Sequence, residues 1–488
     1  MSDPSLDRYE AALRRLPDAH SLALRLRDAG VADEVICQYL DIEGEGLETL
    51  LLVAGNKLVA ELDRYLAPEK RAIPIPGSGV RTSTNAVELE TSVLQPRNFK
   101  FGAVASIPGT PPKQSGCPTP AGVTLSPTLG SLEKFTGTFT GNGFNSIFRP
   151  QSAVTPTPLP VPVGGDNVLE LNLTSETLSF SSSLGVVPNR GMVQGDILLN
   201  GVPYLQTVTD VTDPRQPVGI HFEPGLWIVI PATADPLERE TLARMASIPH
   251  GATVVAQGTS SSLGGPPTIP PVCITPTFNR AGPPQRVRFP SQTATNSGTA
   301  RIPQDLTSFI AAGTITQELL DDPNMFLRKH LASRKVVSTT TILISTNPAS
   351  PLFGGGADNI AFLLGDAAAL TNPQPPGPNA QTLCMRATFW IETVEFTIVV
   401  PPFRGGQPPL TIAPEPQVPG EPTPRFRVHP PMTIAQPRPI TVRSPRIQYS
   451  QEVCLNFNGL TWPHVSVATL VPNDPIAVPT SVWSSPEP

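Results

Sequence analysis

From residue 86 onward, almost every apolar run is short and stops at glycine, proline, asparagine or aspartate. Runs such as KFTGTFTG, NVLELNLTS, GIHFEPGLWIVIP, ATVVAQG, VVSTTTILIST and ATFWIETVEFTIVVP either alternate or stay apolar, the pattern of half-buried and fully buried strands. The chain also carries 61 prolines, which strand starts, edges and turns tolerate and helix interiors do not. Many short strands at hairpin spacing predict a mainly β fold, either a sandwich or a closed antiparallel barrel with proline-rich loops. One helix is expected among them, over Ile315–Ser333, with His330 on a solvated face.

The first 68 residues differ. They hold 7 Lys/Arg against 13 Asp/Glu, so the whole net charge of −6 belongs to them. Leucine, valine and isoleucine recur there at helical spacing, and Asp18 and Asp33 precede helical runs that their carboxylates can cap. The expected organisation is an acidic all-α helical module over 1–68 and a linker over 69–90. A β-barrel domain follows over 91–400, then a proline-rich extension with additional strands over 401–488. Five widely spaced cysteines without a CxxC pair argue against a disulfide framework or a structural zinc site. No apolar run is long enough to span a membrane, no signal core opens the chain, and a cytoplasmic protein is expected. Neither part shows the basic stripe of a nucleic-acid binder.

The glycines choose between sandwich and barrel. Gly137, Gly141 and Gly143 interrupt a strand-like run, which marks bends or close backbone approach. With Phe139 in the aromatic place, Gly137–Gly141 resembles the G-x-[WF]-x-G opening of lipocalin-like barrels. Residues 219–259 read as two strands around a polar excursion and hold His221 and His250. The order GTFTGNGFN, HFEPGLW, IPHGATVVAQG is similar to nitrobindin and related heme-binding β-barrels. His221, Glu223 and Gly225 match the H-x-E-x-G motif, and Gly251, Val254 and Gly258 match the following strand loosely. In those proteins the axial histidine lies on the last barrel strands. The hairpin over 381–400, expected to close this barrel, has Trp390 and Glu392 but no histidine. Separately, VICQYLDIEGEGLETLLLVAGNKLVAEL resembles the helix-turn-helix of sigma-factor region 4. Its second helix has Lys57 alone against Glu45, Glu48 and Glu61, so protein docking is expected there in place of DNA binding.

The resemblance implies heme, with His221 and His250 as candidate metal ligands and the His221–Glu223 pair as the candidate acid–base group. Peroxide or nitrogen-oxide chemistry would follow, of a peroxidase-like or isomerase-like kind. Trp227, Trp390, Phe144 and Tyr204 are candidate pocket-lining residues, and Arg149 and Arg190 candidate partners for propionates. The alternatives are a carrier or non-redox enzyme for a small apolar metabolite, and a structural or interaction protein with a partner bound through 1–68. No G-x-S-x-G elbow, H-E-x-x-H helix or phosphate loop supports a hydrolase.

Overall fold

A computed structural model describes most of residues 9–62, then 128–151, 167–192, 195–234, 237–278, 285–346, 356–359 and 380–483. The chain divides into two compact units, Met1–Cys117 and Pro118–Pro488. In the first, helices α1 (Asp18–Asp28) and α2 (Asp33–Leu40) begin at the aspartates that the sequence marks as helix starts. Ala23, Ile36, Leu47 and Leu51 form one small core there, and Ala12, Leu13, Leu16 and Leu58 another. The expected linker over 69–90 lies outside the described residues.

The second unit is built on a closed antiparallel barrel of ten strands. They are β1 (Gly137–Pro150), β2 (Asn167–Phe180), β3 (Ile197–Asp210), β4 (Val218–Ile230), β5 (Thr241–Ser247), β6 (Ala252–Gly264), β7 (Lys335–Ser345), β8 (Gln381–Val400), β9 (Arg438–Phe457) and β10 (Leu460–Pro472). Each pairs with the next, and β10 pairs with β1 to close the ring. Two expectations are corrected. Residues 219–259 supply three strands, because the polar excursion Thr241–Ser247 is itself a stave. The closing hairpin is β9–β10 and not 381–400, so a domain boundary at 400 would cut the barrel.

Closure needs the glycines of β1. A Cβ on Gly141 would stand 2.0 Å from the Thr469 carbonyl oxygen of β10, so only glycine lets the two backbones approach there. Inside, side chains from all ten strands form one buried cluster, including Phe139, Leu178, Val202, Trp227, Leu242, Val254, Ile342, Phe389, Tyr449 and Leu470. A short 3-10 turn, Gly130–Lys134, adds Leu132 and Phe135 to it, with the Phe135 ring stacked on Phe180 at 4.5 Å.

The outer wall of β1, β2 and β10 is covered as well. Residues 265–278 and 285–333 lay Ile269, Ile274, Leu306, Ile315 and Leu327 over Phe144, Phe148, Leu171, Val465 and Val467. This cover includes α3 (Thr307–Ala311), α4 (Gln317–Asp321) and α5 (Met325–Ala332). The single helix expected over Ile315–Ser333 is thus two, parted at Asp322–Asn324, where Pro323 has no N–H to give. The irregular part of the cover is tied by buried Arg301, whose guanidinium donates to the carbonyls of Ser291, Thr293, Ala294, Asn296 and Gln304. His330 is not solvated. It is 3% exposed, and its Nδ1 lies 2.9 Å from Thr469 Oγ1.

β8 and β9 run past the barrel, where Val394, Phe396, Ile440 and Val442 form a third core with Phe403, Phe426 and Trp483. Cys384 and Cys454 face each other across these two strands and are disulfide-bonded, contrary to the expectation drawn from cysteine spacing. Strand pairing brings together what 70 residues of sequence separate.

Candidate functional site at the barrel mouth

On β4, alternation sends His221, Glu223, Gly225, Trp227 and Val229 into the lumen, while Phe222 points out and is 48% exposed. The same parity on β3 brings in Val202, Tyr204 and Gln206, and on β5 Leu242 and Arg244. Trp227 and Val229 belong to the apolar floor. Above them lies a buried polar layer, and the histidines stand beyond it toward the end of the barrel where β5 turns into β6.

The polar layer has two halves. In one, Glu223 Oε1 accepts from the Tyr204 hydroxyl and from Arg244 Nη2, and Glu223 Oε2 lies 3.1 Å from His221 Nε2. Arg244 also donates from Nε to the Tyr204 hydroxyl at 2.7 Å and from Nη1 to Gln451 Oε1 at 2.7 Å. Its guanidinium lies 5.4 Å from the centre of the Phe389 ring and 5.8 Å from that of Trp227. Burial by itself would push the Glu223 carboxyl up, but Arg244 and the hydrogen bond from His221 outweigh it and hold it down at about 2. In the other half, Tyr449 donates to Glu176 Oε2 at 2.5 Å, Thr174 to Glu176 Oε1 at 2.9 Å, and Gln206 Nε2 to the Tyr449 hydroxyl at 3.0 Å. Among the described residues no Lys or Arg pairs with Glu176, and burial raises its pKa despite these bonds.

Two motif glycines make room for this layer. A Cβ on Gly143 would meet Glu176 Oε1 at 2.6 Å, and one on Gly225 would meet the Tyr204 ring at 2.4 Å. Gly225→Ala is therefore expected to cost about 1–3 kcal/mol by overpacking. Gly219→Ala on the same strand, with open space around it, serves as the control. Thermal unfolding of the two variants checks this, and equal melting points would refute the steric account.

Three histidines ring the mouth. His221 is on β4, and its ring meets that of His250 edge-on at 5.0 Å. His250 sits in the Ile248–Gly251 turn between β5 and β6. The third is His464 on β10. Its Nε2 lies 2.8 Å from Asn145 Oδ1, which also accepts from Ser466 Oγ at 3.0 Å. Asn145 continues through Asn172 to Glu170, and Glu170 pairs with Arg149 at 3.0 Å. Burial, with repulsion from His221 and His250, lowers the His464 pKa to about 3. Burial first, then His221, also lowers that of His250.

The structure thus gathers His221, Glu223, His250, Trp227 and Tyr204, with Arg149 half-exposed at the rim. It removes three others from the lumen. Phe144 and Trp390 face outward into the core beneath the helical cover. Arg190 follows a short strand paired to the far end of β3, where it binds Asp196. Sequence reasoning missed Arg244, Glu176, Tyr449, Gln206 and His464. Among the described residues, no group of three or more His, Cys, Asp or Glu side chains is arranged to hold a metal ion by itself, and no helix is long and apolar enough to cross a membrane.

No family model matches the chain, and no curated protein matches it. Among solved structures it is similar to the crystal structure of Rv2717c from M. tuberculosis, with 10% identity and a TM-score of 0.27, over 72% of this chain and 99% of that one. A likeness of that size carries no functional argument.

Proposed function

We propose that the barrel mouth binds heme, with His464 as the axial ligand. The observation that carries this reading is a histidine held by Asn145 on the last strand of a closed barrel, in a ring of three histidines with His221 of the H-x-E-x-G strand that resembles nitrobindin. The resemblance calls for a histidine on the closing strands, and the difficulty that 381–400 offers none disappears once β9–β10 closes the ring.

The residues at the mouth fit the group on donor chemistry. A metal ligand must be an unprotonated nitrogen, and burial keeps His464 uncharged throughout the neutral range. Its Nε2–H is taken by Asn145, which fixes the ring and leaves Nδ1 with the lone pair. His221 is held by the Glu223 carboxylate instead. Arg149, 46% exposed at the rim, offers a guanidinium to a carboxylate-bearing ligand. Bound iron would supply peroxide or nitrogen-oxide chemistry, and His221 with Glu223 is the acid–base pair nearest to hand. A lipid or terpenoid seated deep in the lumen is a poorer fit, because side chains of all ten strands already fill the floor.

Adding hemin to the purified full chain, followed from 350 to 700 nm, tests the reading. A sharp Soret band at one heme per chain is expected. His464→Ala should weaken hemin binding by at least about tenfold, or roughly 1.4 kcal/mol, while a His221→Ala/His250→Ala double variant keeps the band. A band unchanged in His464→Ala would remove the proposed ligand.

A further inference from the structure

We infer that Arg244 and Tyr204 are positioning residues that fix the ring of His221, so that its Nδ1 serves the mouth as a hydrogen-bond acceptor and selects ligands that carry an O–H donor, such as hydroperoxides. The choice of ligand rests on the heme reading; the orientation of His221 does not.

The argument begins at Glu223, which is fully buried. Arg244 and Tyr204 both donate to its Oε1, so that oxygen is committed and the carboxylate stays ionised. An ionised carboxylate only accepts hydrogen bonds. The 3.1 Å contact between His221 Nε2 and Glu223 Oε2 therefore requires the proton on Nε2. A neutral imidazole carries one N–H, so Nδ1 is the lone-pair nitrogen.

The lock is stiff because each part is itself held. Arg244 is 1% exposed, anchored on Gln451, and packed against the faces of Tyr204, Trp227 and Phe389. Tyr204 lies across Gly225, where any side chain would displace it. His221 is the part of this chain that reaches the mouth, with its side chain 18% exposed and its ring against His250.

His464 and His221 thus have different tasks. Both give Nε2–H to a fixed oxygen, but the His464 partner is a neutral amide and the His221 partner an anion. Should a ligand proton pass to Nδ1, the carboxylate behind Nε2 stabilises the resulting imidazolium, a support that Asn145 does not give His464. A ligand with O–H donates to Nδ1; one without it meets a lone pair with nothing to offer.

The tautomer is directly readable. In the full chain without hemin, with 15N-labelled histidine, the neutral form of His221 is expected to be the Nε2–H tautomer alone. Arg244→Met should mix the tautomers and Arg244→Lys should restore the single form. Glu223→Gln, whose amide both donates and accepts, should also mix them and is the fallback if Arg244→Met does not fold. A purely structural Arg244 would lower stability without moving the tautomer. An Nδ1–H form in the native protein, or an unmixed tautomer in folded Arg244→Met or Glu223→Gln, overturns the inference.

In the hemin-loaded chain, His221→Phe is expected to slow the Soret change caused by tert-butyl hydroperoxide by about tenfold or more, with hemin affinity kept within about twofold. The response to di-tert-butyl peroxide, which lacks O–H, should be slowed less than the response to tert-butyl hydroperoxide. Equal slowing with both peroxides, or none, contradicts the selection. Absence of any Soret band overturns the heme reading, and the tautomer then decides the inference alone.

Discussion

Arg244→Met is expected to destabilise the barrel more than any other single lumen substitution, by about 3–5 kcal/mol. The variant keeps Glu223 fully buried and removes the Arg244 guanidinium beside it, leaving Tyr204 and His221 to solvate the charge. A loss of that size is a large share of the ~5–15 kcal/mol that usually separates folded from unfolded chains. Most of it comes from the charge left behind and not from the attraction that is lost. Replacing both partners, Glu223→Leu with Arg244→Met, should therefore recover much of the stability. Urea unfolding of the wild type, both single variants and the double variant measures the coupling. A double variant as unstable as the sum of the singles would mean that the pair is not the unit described above.

The strands of this fold were legible in the sequence, and their partners were not. Each apolar run between turn residues became a stave, because a short run bounded by Gly, Pro, Asn or Asp has little choice but to be a strand. The prolines of 401–488 read as an extension added to a barrel already closed by 381–400, which hides the closing pair. Pro439 and Pro445 nevertheless lie within β9. They are tolerated because residues 438–446 pair with β8 alone; β10 joins only from Ile447 onward.

The site was half legible for a related reason. His221 and Glu223 announce themselves by a two-residue spacing beside a glycine on a strand, which puts both on one face. His464 gave no such sign. In HVSVATL the valines look like the buried face and the histidine like the exposed one, yet both faces are covered: the lumen takes His464, Ser466 and Ala468, and the helical cover takes Val465 and Val467. Burial on both sides erases the period-two signal. Arg244 was hidden by its context, ETLARMAS, whose charges suggest a loop. A buried cation on a strand makes sense only when its anion is known, and Glu223 is brought to it by register alone. His330 failed the same way, since its neighbours Arg328 and Lys329 imply solvent while the ring itself turns onto β10.

Those two histidines, His330 buried and His464 partly buried, give the cofactor-free protein an acid limit. The free imidazole titrates near 6.5. Burial, assisted by Arg446, lowers His330 to about 4, and burial, assisted by the other two mouth histidines, lowers His464 to about 3. Because the folded values are depressed, both contributions to stability are complete above pH 6.5 and drain away as the pH falls toward the folded values. By pH 4 the unfolded chain has taken up both protons, and each histidine has removed about 3 kcal/mol of stability. Glu223, depressed from 4.5 to about 2, adds to the slope only below pH 4.5. The two histidines together remove about 6 kcal/mol by pH 4, and the raised pKa values of buried Glu176 and Glu392 offset part of it, so a marked net loss of stability toward that pH is expected. Circular dichroism and denaturant titrations between pH 7.5 and 3.5 measure the curve, and His330→Gln should make its slope above pH 4.5 clearly shallower. Stability that stays level down to pH 4.5 would mean that the imidazoles of His330 and His464 are charged in the fold, which would also deprive the mouth of its neutral ligand.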